Sequence, residues 1–158
     1  MNVSGYEIEN RYLLKRVPNI SFDEVFEIEQ FYTPEGRFRF KKNKNTKEVS
    51  YYQTNKKTIS PGVNEEIEKE ISEFEFNKAI KTATRKIVKE RGIIKHSGLT
   101  WEVDYFIGNL LVILEVEVDT VEDLKQIVLP DFFQEVLILD VTGIKEFSNY
   151  NLADNIKN

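Results

Sequence analysis

The strongest constraint on this chain is a set of period-two segments in which charges, mostly of one sign, fill every second position. Glu7, Glu9 and Arg11 face away from Ile8 and Tyr12, and Arg37, Arg39 and Lys41 alternate with Phe38 and Phe40. Glu66, Glu68 and Glu70 oppose Ile67 and Ile71. Lys89 and Arg91 share one side of their segment, Glu102 and Asp104 flank Val103, and Glu115 and Glu117 sit between Leu114, Val116 and Val118. Period two is the strand signature, and strict alternation sends each charged set to one side of its sheet. The pattern predicts strands near 5–15, 24–32, 36–43, 47–58, 64–72, 84–95, 99–107, 109–119 and 135–142. Turn residues separate several of them: Pro34-Glu35-Gly36, Ser60-Pro61-Gly62, Ser97-Gly98 and Gly108-Asn109, the last read as a tight two-residue hairpin.

Three stretches read as helical. Residues 76–84 place Ala79, Ile80 and Ala83 at helical spacing, and 120–127 opens on Thr120 as N-cap with Glu122 and Asp123 in its first turn. A last short helix is expected over 148–156. No repeat, low-complexity run or linker divides the chain, so a single domain over 1–158 is expected.

For one strand, alternating charge is ordinarily a solvated outer face laced with ion pairs. Two features argue against that reading throughout. The charges on one side of each strand are mostly of one sign. The segment 110–118, too apolar for an exposed edge, carries two glutamates in its middle. Glu115 and Glu117 would stand about 6.6 Å apart along the strand, a spacing that suits a hard, oxygen-seeking cation such as Mg²⁺ or Mn²⁺ between carboxylates.

An eight-stranded barrel with its charged faces inward and apolar faces outward satisfies both features, with the helices covering part of the outer wall. Such a lumen cannot be dry, because each unpaired buried charge costs several kcal/mol. Acids for a metal and bases for an anion suit a polyanion bound with divalent cations, and triphosphate is the simplest candidate. Composition narrows the field further. With 22 Lys and Arg against 27 Asp and Glu, the net charge is −5, which argues against a nucleic-acid partner. No cysteine is present, which excludes disulfides and thiolate chemistry. The longest apolar run, Leu110 to Leu114, is far short of the ~20 residues of a membrane helix. Neither a signal peptide nor a membrane location is expected, and a cytoplasmic one is.

The ordered motifs resemble a known family. Glu7-Ile8-Glu9-Asn10-Arg11 is similar to the Glu-x-Glu-x-Lys signature of the CYTH domain, or triphosphate tunnel metalloenzymes. Gly36-Arg37-Phe38-Arg39 resembles its Arg-x-Arg strand, Thr54-Asn55-Lys56 its Thr-x-Lys, and Glu66 to Ile71 its acidic central strand. Lys89-Glu90-Arg91 matches Lys-x-Arg, Trp101 to Asp104 the strand ending in Asp, and Leu114 to Glu117 the late Glu-x-Glu. Asp140-Val141-Thr142 and Asn149 to Ala153 resemble the C-terminal segment. Each tripeptide alone is weak, and the ordered set over 7–153 is specific.

The resemblance implies an eight-stranded antiparallel tunnel that hydrolyses a triphosphate, most simply inorganic tripolyphosphate, with Mg²⁺ or Mn²⁺. It places Glu7, Glu9, Glu115 and Glu117 at the metal. Arg11, Arg37, Arg39, Lys56, Lys89 and Arg91 would hold the phosphates, and Glu66, Glu68 and Asp104 would orient the bases. Guanidinium forks suit phosphate and lysines act as point charges; a water beside the acidic wall would attack the terminal phosphorus. The alternatives are synthesis of cyclic AMP from ATP, a non-catalytic triphosphate or polyphosphate binder, and a purely structural barrel. Arg11 departs from the signature lysine. It can bind phosphate but cannot act as a base. His96 is expected at an exposed strand end and Trp101 in packing rather than at the chemistry.

Overall fold

Every long strand has an antiparallel partner on both sides. The computed structural model describes residues 2–156, with β1 (Asn2–Leu14), β2 (Glu24–Thr33), β3 (Gly36–Asn43), β4 (Val49–Ser60) and β5 (Val63–Ile71) preceding α1 (Glu73–Ala79). After α1 come β6 (Arg85–His96), β7 (Leu99–Phe106), β8 (Val112–Val118), α2 (Val121–Leu124), α3 (Asp131–Gln134), β9 (Leu137–Asp140), α4 (Asn149–Leu152) and β10 (Asp154–Asn155). The pairing runs β1-β5-β4-β3-β2-β6-β7-β8 and returns to β1, which closes an eight-stranded antiparallel barrel. Closure removes the open edges that a flat sheet would leave.

The register decides which face turns inward. Arg11 lies opposite Glu115, Glu9 opposite Glu117, Arg91 opposite Asp104, Lys56 opposite Glu66 and Arg39 opposite Gln30. These are the charged faces, and they line the lumen. The apolar faces look outward and form the main core there: Tyr12, Leu14, Trp101, Val103, Leu114 and Val116 pack beneath Phe133 of α3 and Val136. Trp101 is fully buried, with its ring 5.3 Å from that of Phe133. A fully buried side chain of this size is worth about 1.5–3 kcal/mol, so the covering segment is held by packing. A second apolar cluster stands at one end of the lumen. There Ile87, Phe106 and Ile113 turn inward with Leu13 and Tyr32, and Phe147, Leu152 and Ala153 of the C-terminal segment pack on them. One end of the tunnel therefore has an apolar floor.

The long strands lie where expected, within a few residues, and several shorter readings need correction. The helix read at 76–84 begins at Glu73, because Ser72 caps it by accepting from the Glu75 backbone N–H, and the α-helix ends at Ala79. The segment 120–127 forms only the single turn α2, capped as expected by Thr120. The expected helix 148–156 shortens to α4, and its last residues pair with β6 instead. Gly108-Asn109 is not a two-residue hairpin: Phe106 and Leu111 close a four-residue loop. Leu110 takes the left-handed conformation (φ 63°), and Asn109 Oδ1 accepts from the Leu111 amide. The Gly-Asn order lacks the Asn-Gly preference for a tight turn. The strand read from 109 accordingly starts at Val112, and that read over 135–142 shortens to β9. Among the described residues no helix is long and apolar enough to cross a membrane.

Candidate active site

The acidic side of the lumen is built by β1 and β8. Alternation along β1 turns Glu7 and Glu9 inward, and β8 brings Glu117 beside them. One carboxylate oxygen from each of the three lies within 4.8 Å of the others. Glu9 is 5% exposed, and its Oε2 is buried with no hydrogen-bond partner. Burial, together with the Glu115 and Glu7 charges, pushes the Glu9 carboxyl well above the usual carboxylate range. Burial and the neighbouring Glu7 and Glu102 push Glu117 up to about 7. Three converging carboxylates that repel one another, one of them with an unsatisfied oxygen, fit a hard cation of the Mg²⁺ or Mn²⁺ type. Glu115 stands apart from this group. Its carboxylate is ion-paired with Arg11, which overcomes the effect of burial and holds it well below the usual range.

The basic side divides into paired and unpaired cations. Lys89 Nζ lies 2.7 Å from Asp104, and Arg91 grips the same carboxylate through Nε at 2.7 Å and Nη2 at 2.9 Å. Arg91 also meets Glu102 at 2.8 Å. Lys89 and Asp104 are fully buried. Burial alone would raise Asp104, but the two cations hold it far below the ordinary range. The same burial draws Lys89 down to about 7 against the pull of Asp104. Lys56 pairs with Glu7 at 2.8 Å and approaches Glu66 at 3.5 Å. Arg11 also donates from Nη2 to the carbonyl of Phe147 at 2.7 Å, which ties β1 to the segment over the apolar floor.

Arg37 and Arg39 differ from the rest: neither meets a carboxylate within ion-pair distance among the described residues. Arg37 donates to Thr54 Oγ1 at 3.2 Å, and its Nε is buried without a partner. Thr54 in turn donates to Glu68 at 3.2 Å. Arg39 donates twice to Gln30 Oε1, at 3.0 and 2.7 Å. Burial and the nearby charges of Arg37 and Arg91 lower Arg39 to about 10. A guanidinium in a field of like charge has the chemistry to attract an anion. A cavity of about 540 Å³, lined by Glu9, Arg11, Arg37, Lys56, Asn64 and Asn149 among others, leads into this region. Its size falls within the roughly 300–1,000 Å³ usual for small-molecule pockets.

Compared with solved structures, the chain superposes on the inorganic triphosphatase NE1496 with a TM-score of 0.60 and 23% identity, covering 93% of both chains. A conserved hypothetical protein from Pyrococcus furiosus aligns with a TM-score of 0.55 and 25% identity, over 76% of this chain and 84% of its own. PH1012 from Pyrococcus horikoshii OT3 aligns with the same TM-score and coverage at 23% identity. The fold is that of the CYTH domain. No protein-family model and no curated sequence matches the chain.

Within this CYTH fold, the acids and bases of the lumen were legible as alternating residues. Gln30 was not, although it is fully buried and holds Arg39. The inward face of β2 carries Phe26, Ile28, Gln30 and Tyr32, so no charge pattern marks it. Glu102 does lie in the same alternation as Asp104, and that alternation was its signal. Asn64, which donates to Glu7 at 3.2 Å, and the Phe147 carbonyl offered none. His96 is exposed and stacks edge-on against Phe132, and Trp101 donates to the His96 carbonyl within the outer core.

Proposed function

We propose that the tunnel binds a triphosphate, most simply inorganic tripolyphosphate, and hydrolyses it with Mg²⁺ or Mn²⁺ held by Glu7, Glu9 and Glu117. The observation that carries this reading is the pair formed by buried Arg37 and half-buried Arg39, which meet no carboxylate at ion-pair distance among the described residues, together with an acidic cluster that has an unsatisfied oxygen. The activity of NE1496, which has the same fold, supports it.

A bound divalent cation would neutralise phosphate oxygens and stabilise charge on the leaving group. The chain's own residues do the positioning. Arg37 and Arg39 present planar forks to phosphate oxygens, with Gln30 and Thr54 fixing their orientation. Arg91, locked by Asp104 and Glu102, supplies a positive charge that cannot be lost, and Lys89 is held beside it by the same Asp104. The apolar floor under Leu13, Phe106 and Ile113 blocks one end, so a phosphate chain would enter from the other end or through the side cavity.

The test is orthophosphate release from tripolyphosphate, ATP and thiamine triphosphate with Mg²⁺ or Mn²⁺. Turnover of tripolyphosphate that falls at least tenfold in Arg39→Ala supports the reading. Pyrophosphate with a cyclic nucleotide from ATP would replace it with cyclisation. Metal-linked binding without turnover would make the protein a binder.

A further inference from the structure

Lys56 stands at the junction of the two halves of the site. Its ammonium contacts Glu7 Oε1 at 2.8 Å, and Asn64 donates to that same oxygen at 3.2 Å. Glu7 is also one of the three carboxylates that converge within 4.8 Å. Lys56 therefore sits on a carboxylate that a divalent cation would need. Its side chain is 31% exposed and lines the cavity together with Arg37. It sits near the end of β4, on a long flexible stem, with room to turn from the acidic wall toward that cavity.

We infer that Lys56 is a positioning residue that couples metal to anion: a cation bound at Glu7 evicts the ammonium, which then moves to the phosphate. This rests on the triphosphate reading above. A divalent cation and an ammonium crowded onto one carboxylate repel strongly where the surrounding protein screens charge poorly. In the metal-free protein Lys56 is thus spent on Glu7 and adds little to phosphate binding. With metal in place it keeps only the longer contact to Glu66, at 3.5 Å, and can turn toward Arg37 and the cavity. Metal and polyanion then favour one another, and linkage makes the effect reciprocal.

The test measures binding by calorimetry for the wild type, Lys56→Gln and Lys56→Arg. Mn²⁺ alone should bind Lys56→Gln about fivefold tighter or more than wild type, at the lower end of ordinary coupling factors. Lys56→Arg, which restores a competing cation, should stay within about twofold of wild type. Metal-free tripolyphosphate, measured in chelator, should bind Lys56→Gln and wild type within about twofold of each other. The Mn²⁺–tripolyphosphate complex should bind Lys56→Gln about fivefold weaker or more. Unchanged or weaker Mn²⁺ binding by Lys56→Gln overturns the inference. So does an equal loss of affinity for tripolyphosphate with and without metal, because Lys56 would then face the anion in both states. Failure of the wild type to bind tripolyphosphate under any condition would remove the triphosphate reading itself, and this inference with it.

Discussion

Asp104→Asn is the sharpest perturbation the tunnel offers. The carboxylate is fully buried and accepts from Lys89 Nζ at 2.7 Å and from Arg91 Nε and Nη2 at 2.7 and 2.9 Å. The amide keeps the shape and removes the charge, leaving two cations facing a neutral group. Removing one partner of a buried ion pair costs about 3–5 kcal/mol. Two features pull the value to the low end. Lys89, already drawn down to about 7, can shed its proton, and Arg91 keeps Glu102 at 2.8 Å. Arg91 itself cannot deprotonate. The expected loss is therefore about 3 kcal/mol, or roughly 6–12 °C in Tm for a chain of this size. Urea unfolding at pH 7, with fluorescence and circular dichroism as coincident probes, measures it. Tripolyphosphate offers a second reading of the same variant. The cations released from Asp104 should bind it more tightly, and ligand at 100 times Kd restores about 2.7 kcal/mol. A loss below about 1 kcal/mol, or no extra stabilisation by tripolyphosphate relative to wild type, would refute the idea that Asp104 confines the charge of a closed lumen.

Two further outcomes follow from the acidic wall. Glu9→Gln should raise the Tm of the metal-free protein, because it relieves the repulsion among Glu9, Glu115 and Glu7. The same variant should weaken Mn²⁺ binding on the order of tenfold or more; a lower metal-free Tm with intact Mn²⁺ binding would count against the assignment. For Glu117, the ordinary value of 4.5 rises to about 7 in the folded protein, driven by burial, Glu7 and Glu102. Between those values the folded state holds more protons than the unfolded one, so this group's contribution to stability declines as pH rises from 4.5 to 7. The stability of wild type minus that of Glu117→Gln, followed by urea titration without metal, should fall across that window and level above it. A flat difference curve would refute the shift.

What could be read from the chain was the local part of the design. Strand alternation is a property of the backbone, so Glu7, Glu9 and Arg11 on one side of β1, and Arg37 and Arg39 on one side of β3, follow without knowledge of any neighbour. Sign segregation and the acidic middle of an apolar segment made an inward charged face the economical solution, and the barrel closes that way. The partners across the lumen were decided only by closure and register, which are set by the whole sheet. Those non-local terms pair Glu115 with Arg11 rather than with Glu7, Glu9 and Glu117, and seat Lys56 on Glu7. They also put the silent Gln30 against Arg39 and leave Arg37 and Arg39 without an acid at ion-pair distance among the described residues. The same holds for the apolar floor: Phe147 and Leu152 look unremarkable in sequence, and the fold of the C-terminal segment across the barrel end gives them a wall to cover. Side-chain direction is settled within two residues, whereas charge pairing depends on segments more than a hundred residues apart, such as Arg11 and Glu115.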